Sequence, residues 1–203
     1  MTIDDKIKLE HARKFFYARD YRGAISLFDE LGCLYEKGFA TLLLGDDVEA
    51  RKIWNSIKNP CPAVFWGLDI LDIIKCKYSA HPTYFQVRAF LEVYLHLLIL
   101  NEHLDWAENI ISGYEIFSRV NYEACKFIAR VLFYHGYDEL TLEFIEKSKR
   151  ICYPDPEALF IEAQTFLRCN NNTKALESLN EIIEIVPEYM PALNLKKCVE
   201  STL

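Results

Sequence analysis

A chain of 203 residues that is 51% hydrophobic and 26% charged can fold as one sizeable domain and is too apolar to be disordered. Seven glycines and seven prolines are too few for the many tight turns of an all-β sandwich, so long helices with short loops are expected. A formal net charge of −7 argues against nucleic acid as a partner, since backbone binding needs clustered cations.

Apolar residues recur with helical periodicity through most of the chain. They mark twelve helices, at about 4–18, 21–31, 33–44, 47–57, 62–77, 83–100, 103–118, 121–135, 138–151, 156–169, 173–186 and 190–202. The breaks carry helix-ending residues: Gly45-Asp46-Asp47, Asn59 to Pro62, His81-Pro82, Gly136, Pro154 to Pro156, and Asn170 to Asn172. No long linker intervenes, so residues 1–203 read as a single all-α domain. Helix 62–77 has few polar positions and should be largely buried. The most apolar run, Ala89 to Leu100, is interrupted by Glu92 and His96 and is too short to span a bilayer. The first residues, Met1 to Asp5, lack the basic-then-apolar order of a signal peptide, so a soluble cytoplasmic location and no membrane association are expected.

A 34-residue period organises the second half. Ala107, Thr141 and Ala175 are small, and Ile111, Ile145 and Leu179 follow four residues later. Leu98, Leu132 and Phe166 share another position, and Leu91, Cys125 and Leu159 a fourth. Ala129 and Ala163 match as small residues, whereas Leu95 breaks that position. A small residue lets two helices approach, and the larger ones fill the space to the next pair.

These positions resemble those of the tetratricopeptide repeat family. The segment Pro156 to Tyr189 matches best, through Leu159, Ala163, Phe166, Ala175, Leu179 and Pro187. The units 88–121 and 122–155 are in register with it, and 190–203 would be a capping helix. Ala12, Phe15, Asp20-Tyr21, Ala24 and Phe28 form an N-terminal unit; Gly38, Gly45-Asp46, Ala50 and Trp54 form a second, only 26 residues on. Residues 5–57 thus hold two shortened repeats, 58–87 an irregular helical insertion, and 88–189 three full repeats. The resemblance implies a right-handed α-α superhelix of antiparallel helices. A change of direction in the stack is expected at the insertion.

The resemblance also implies that the first helix of each pair lines a concave groove. Arg13, Phe16 and Tyr17 would face it in the N-terminal unit, then Glu92 and His96, then Lys126, Arg130, Phe133 and Tyr134, then Glu157, Phe160, Gln164 and Arg168. Partner-binding candidates are therefore Arg13, Tyr17, Glu92, His96, Lys126, Arg130, Phe133, Tyr134, Gln164 and Arg168. Lys126, Arg130 and Arg168 would suit an acidic segment of a protein or peptide partner. The lysine-and-asparagine clamp of chaperone-binding relatives is departed from: Lys126 matches one clamp position, but Arg130 and Ile161 stand where asparagines are needed. Arg88, Glu92 and His96 share one helix face, which reads either as a groove site or as an Arg88–Glu92 pair beside a hydrogen-bonded histidine.

No catalytic pattern emerges. The histidines at 11, 81, 96, 103 and 135 form no zinc-binding motif, and no phosphate loop or nucleophile elbow occurs. The seven cysteines have no C-x-x-C spacing and read as small core residues. The expectation is a non-catalytic interaction scaffold without metal or cofactor. The alternative is a self-assembly module forming a homo-oligomer, for which Leu193, Leu195, Cys198 and Val199 of the last helix are candidates.

Overall fold

The computed structural model describes residues 2–78 and 82–201. His81 and the final residues of the capping segment lie outside the described residues. Among the described residues every regular element is helical. The elements are α1 (Ile3–Tyr17), α2 (Tyr21–Glu30), α3 (Leu34–Leu43), α4 (Asp47–Asn55), α5 (Pro62–Ile73), α6 (Tyr84–Ala89), a π-helical segment (Phe90–Tyr94) and α7 (Leu95–Leu100). There follow α8 (Leu104–Ser112), α9 (Tyr114–Val120), α10 (Ala124–Tyr134), α11 (Asp138–Ile151), α12 (Pro156–Arg168), α13 (Asn172–Ile185) and α14 (Met190–Glu200).

Two expected helices are subdivided. The run 83–100 contains the π-helical segment, in which the Leu95 N–H donates to the Phe90 carbonyl instead of the usual i−4 partner. The run 103–118 breaks at Gly113, the weakest helix former in it, whose carbonyl accepts from both Ile116 and Phe117 to start α9. Helix α5 stops at Ile73 rather than 77, and Cys76 beyond it adopts a left-handed φ of 57°.

Five hairpins share one turn. After α1, α3, α7, α10 and α12 a residue takes positive φ: Arg19, Gly45, Glu102, Gly136 and Asn170. The next N–H reaches back five residues to a helix carbonyl, as Asp20 to Phe15, Asp46 to Thr41, His103 to Leu98, Tyr137 to Leu132 and Asn171 to Phe166. This doubly bonded left-handed ending satisfies carbonyls that the helix leaves orphaned. Glu102, Gly136 and Asn170 are 34 residues apart, and Arg19 and Gly45 are 26 apart. The second helix then starts on a side-chain cap where the sequence supplies one: Asp20 accepts from Gly23, Asp46 from Glu49 and Asn171 from Lys174. Four residues past each of these caps, and at the equivalent points of the other two hairpins, stands a fully or nearly buried small residue: Ala24, Ala50, Ala107, Thr141 and Ala175.

The chain gathers into two compact units interleaved along the sequence, although no linker marks a boundary. One comprises Met1–His81 and Leu97–Ile110, the other Pro82–His96 and Ile111–Leu203. In the first unit α1 packs on α2, α2 on α3, α3 on α4, and α5 on both α3 and α4. Leu97 joins the core of Tyr21, Ala40 and Leu43. Polar contacts secure the same segment: the Tyr21 hydroxyl to Asn101 Oδ1 at 2.9 Å, the Arg19 guanidinium to the Leu100 carbonyl at 3.0 Å, and the His103 ring against the Leu43 carbonyl at 2.8 Å. The Asn109 amide donates to the Ile74 carbonyl, which anchors the end of α5.

In the second unit α10 pairs with α11 and α12 with α13, while α11 packs on α12 and α13 on α14. Helix α6 and the π-helical segment pack on α10, and α10 on α12, so first helices of successive pairs are neighbours. Leu159, Ala163, Leu179, Ile182 and Ala192 form a core that α14 completes with Ala192. Asn194, Lys197, Cys198 and Glu200 on α14 stay exposed.

Candidate interaction surface

In the second unit the candidate residues stand on α10, on α12, and on the run from the π-helical segment into α7. Lys126 is unlike the expected groove cation: only 5% of it is exposed. Its ammonium lies 2.7 Å from Glu123, 2.8 Å from Asp155 and 3.3 Å from Glu157. Burial disfavours the charge, but these carboxylates outweigh it and raise the Lys126 pKa far above its ordinary value. Asp155 also caps α12, accepting from the Glu157 and Ala158 amides. Glu123 accepts from the Tyr84 hydroxyl at 2.8 Å, and the hydrogen bond from Lys126 lowers its pKa.

Arg130, one turn along α10, bridges Glu92 and Glu157. Glu92 pairs in addition with Arg88. Both guanidinium groups sit over the Phe127 ring, each 5.6 Å from its centroid. Arg168 caps the surface differently. It lies 3.8 Å over the Phe133 ring, donates to the Phe133 carbonyl at 2.7 Å and pairs with Asp138. Gln164 is half-buried on α12. Lys126, Arg130 and Arg168 are thus matched by carboxylates of the chain itself, which corrects the expectation that they attract an acidic segment.

His96 and His135 meet with Nδ1 and Nε2 3.0 Å apart, so one ring must donate to the other. Tyr134 stands edge-on to His96, with centroids 5.2 Å apart, and is 73% exposed. Burial pushes the His96 pKa down; burial, then the neighbouring His96, lowers that of His135. The structure therefore contains both the Arg88–Glu92 pair and a hydrogen-bonded histidine.

The first unit carries Arg13 and Tyr17 on α1. They line a cleft of about 150 Å³ with Phe16, Phe28, Glu36 and Phe39. Arg13 pairs with Glu10 at 2.7 Å.

The sequence reading did not anticipate Glu123, Phe127, His135, Asp138, Asp155, Glu36 or Phe39. A signal existed for part of the network. Glu92 and Arg130 are 38 residues apart, one period plus one helical turn, and have opposite charge.

No protein-family model matches the chain, and no curated protein matches it significantly. Two solved structures are similar to it, each at 16% identity. One is YrrB, described as a TPR protein with an unusual peptide-binding site; 94% of this chain and 90% of that one align, with a TM-score of 0.45. The other is the C-terminal part of a TPR repeat-containing protein from Cytophaga hutchinsonii, covering 94% of this chain and 69% of that one, with a TM-score of 0.47. The five equivalent turns and their 34-residue spacing define the class from this chain alone: a tetratricopeptide-like array of antiparallel helix pairs. Among the described residues no helix is long and apolar enough to cross a membrane.

Proposed function

We propose that the protein is a non-catalytic, cytoplasmic interaction module whose first-helix surfaces take a peptide or helix from a protein partner. The observation that carries this is Tyr134. It projects from α10 with most of its surface exposed, beside rings and ion pairs that fix the surrounding side chains. Exposed aromatic anchors on a preorganised surface lose little entropy on binding and dominate interface energetics. Arg13, Tyr17, Phe133, Gln164 and the outer edges of Arg130 and Arg168 complete the surfaces. With the cations internally matched, recognition rests on aromatic and hydrogen-bonding contacts rather than on an acidic ligand.

Selection of a displayed random-peptide library against the whole chain tests the reading. Enriched peptides should bind Tyr134→Ala or Tyr17→Ala at least about tenfold more weakly, as expected for loss of a hot-spot aromatic. Selected peptides that bind both variants unchanged would remove the proposed surfaces.

A further inference from the structure

The cleft on the first unit has a chemistry of its own. Phe16 and Phe39 stack with centroids 5.8 Å apart, and Tyr35 continues the row at 6.3 Å from Phe39. Tyr17, 81% exposed, stands edge-on to Phe16 and forms the outer wall. Two charged residues line the cleft. Arg13 is already engaged by Glu10, one helical turn earlier. Glu36, half-buried in the first turn of α3, makes no hydrogen bond or ion pair among the described residues. Its neighbour Lys37 is turned to Asp29, at 2.6 Å.

An aromatic slot ending in an unmatched carboxylate suits one kind of side chain: a long alkyl stem with a cationic head. Stems of lysine and arginine pack on apolar surface while the head seeks charge, and aromatic faces attract cations. An anionic side chain would meet Glu36, and a purely aliphatic one would leave that carboxylate partly desolvated without a partner. The volume of the cleft admits a single side chain rather than a segment of backbone.

We infer that this cleft seats a lysine or arginine side chain of the partner, its stem against Phe16, Tyr17 and Phe39 and its head on Glu36. The inference rests on the interaction-module reading and names the partner's chemistry: a basic anchor residue.

The test is nuclear magnetic resonance titration of the isotope-labelled full chain with three acetylated, amidated tripeptides, Gly-X-Gly, where X is lysine, norleucine or glutamate. The lysine peptide should shift the amides of residues 13–17 and 34–39, norleucine should do so more weakly, and glutamate should not. Glu36→Gln should raise the Kd for the lysine peptide about tenfold, the size of one lost charge-assisted contact. Equal response to norleucine or glutamate, an unchanged Kd in Glu36→Gln, or no shifts in this cleft would overturn the inference. The two proposals fail separately. Selected peptides that lack a basic residue and bind Glu36→Gln normally remove only the cation cleft. A failed peptide selection with an intact lysine response removes only the surfaces centred on Tyr134.

Discussion

Gly38 on α3 and Trp54 on α4 occupy complementary halves of one space. A Cβ at position 38 would lie 2.7 Å from Trp54 Cδ1, and a Cβ at Gly67 on α5 equally close to the far edge of the ring. Trp54 itself is 1% exposed and donates its indole N–H to the Tyr35 carbonyl at 3.1 Å. Gly38 sits where the other hairpins have Ala12, Ala129 and Ala163, and Trp54 where they have Phe28, Ile145 and Leu179. The largest residue of the series faces the smallest. Gly38→Ala should therefore destabilise the protein by about 1–3 kcal/mol through overpacking, even though alanine is the better helix former. Denaturant titration measures it. Adding Trp54→Leu should recover part of the loss from Gly38→Ala, a coupling that a double-mutant cycle reads directly.

Lys126→Met leaves Glu123, Asp155 and Glu157 facing one another without their shared cation. The expected cost at neutral pH is about 3 kcal/mol, the range for breaking a buried pair from one side. The pH dependence separates this from a packing defect. In the wild-type chain the Glu123 pKa lies below its ordinary 4.5, so its stabilisation is full above that value and is lost as pH falls through the folded-state pKa. Removing Lys126 abolishes that stabilisation, so the two stability curves should converge under acid conditions. Parallel curves down to pH 3 would contradict the assignment.

The His96–His135 pair should make stability fall on mild acidification. Both pKa values lie below the ordinary 6.5 in the folded protein, so the unfolded chain takes up protons first. Stability is full above about pH 6.5 and declines as pH falls through the folded values. His135→Gln should flatten that slope between pH 7 and 5, seen as a smaller shift in Tm across the range. Ring-proton titration by nuclear magnetic resonance gives the two values directly.

Glu162, nearly buried on α12, accepts from Ser178 at 2.8 Å and from Lys149 at 3.0 Å. It thereby ties α12 to the helices on either side. Glu162→Gln keeps the shape and removes the charge, and should cost about 1–2 kcal/mol in denaturant titration. Ser178→Ala should cost less, because Lys149 still satisfies the carboxylate.

The helical hairpins were legible because each depends on neighbours in sequence. Ala175 and Leu179 or Thr141 and Ile145 show their pairing through spacing alone. The π-helical turn at Phe90–Tyr94 was not legible, since no residue there forbids an ordinary helix and packing on α10 accompanies the altered backbone. Lys126 was misjudged for a related reason. Its exposure depends on Asp155, brought to it by the turn that starts the next repeat. Arg19 and Glu102 adopt the left-handed conformation without being glycine or asparagine, so only the two flanking helices betray those turns. The cleft beside Glu36 joins α1 to α3, and no local pattern in either helix announces it.

The turns at Gly136 and Asn170 are the same piece of backbone, one period apart. A chain lacking residues 137–170 would therefore pass from Gly136 straight to Asn171, which already caps α13. Helix α10 would then meet Ala175 and Leu179 where it now meets Thr141 and Ile145. The array can in this sense be shortened by editing, as a strip of identical tiles is cut at its joints. A shortened chain that keeps a cooperative thermal transition would show that each hairpin carries its own instructions for length.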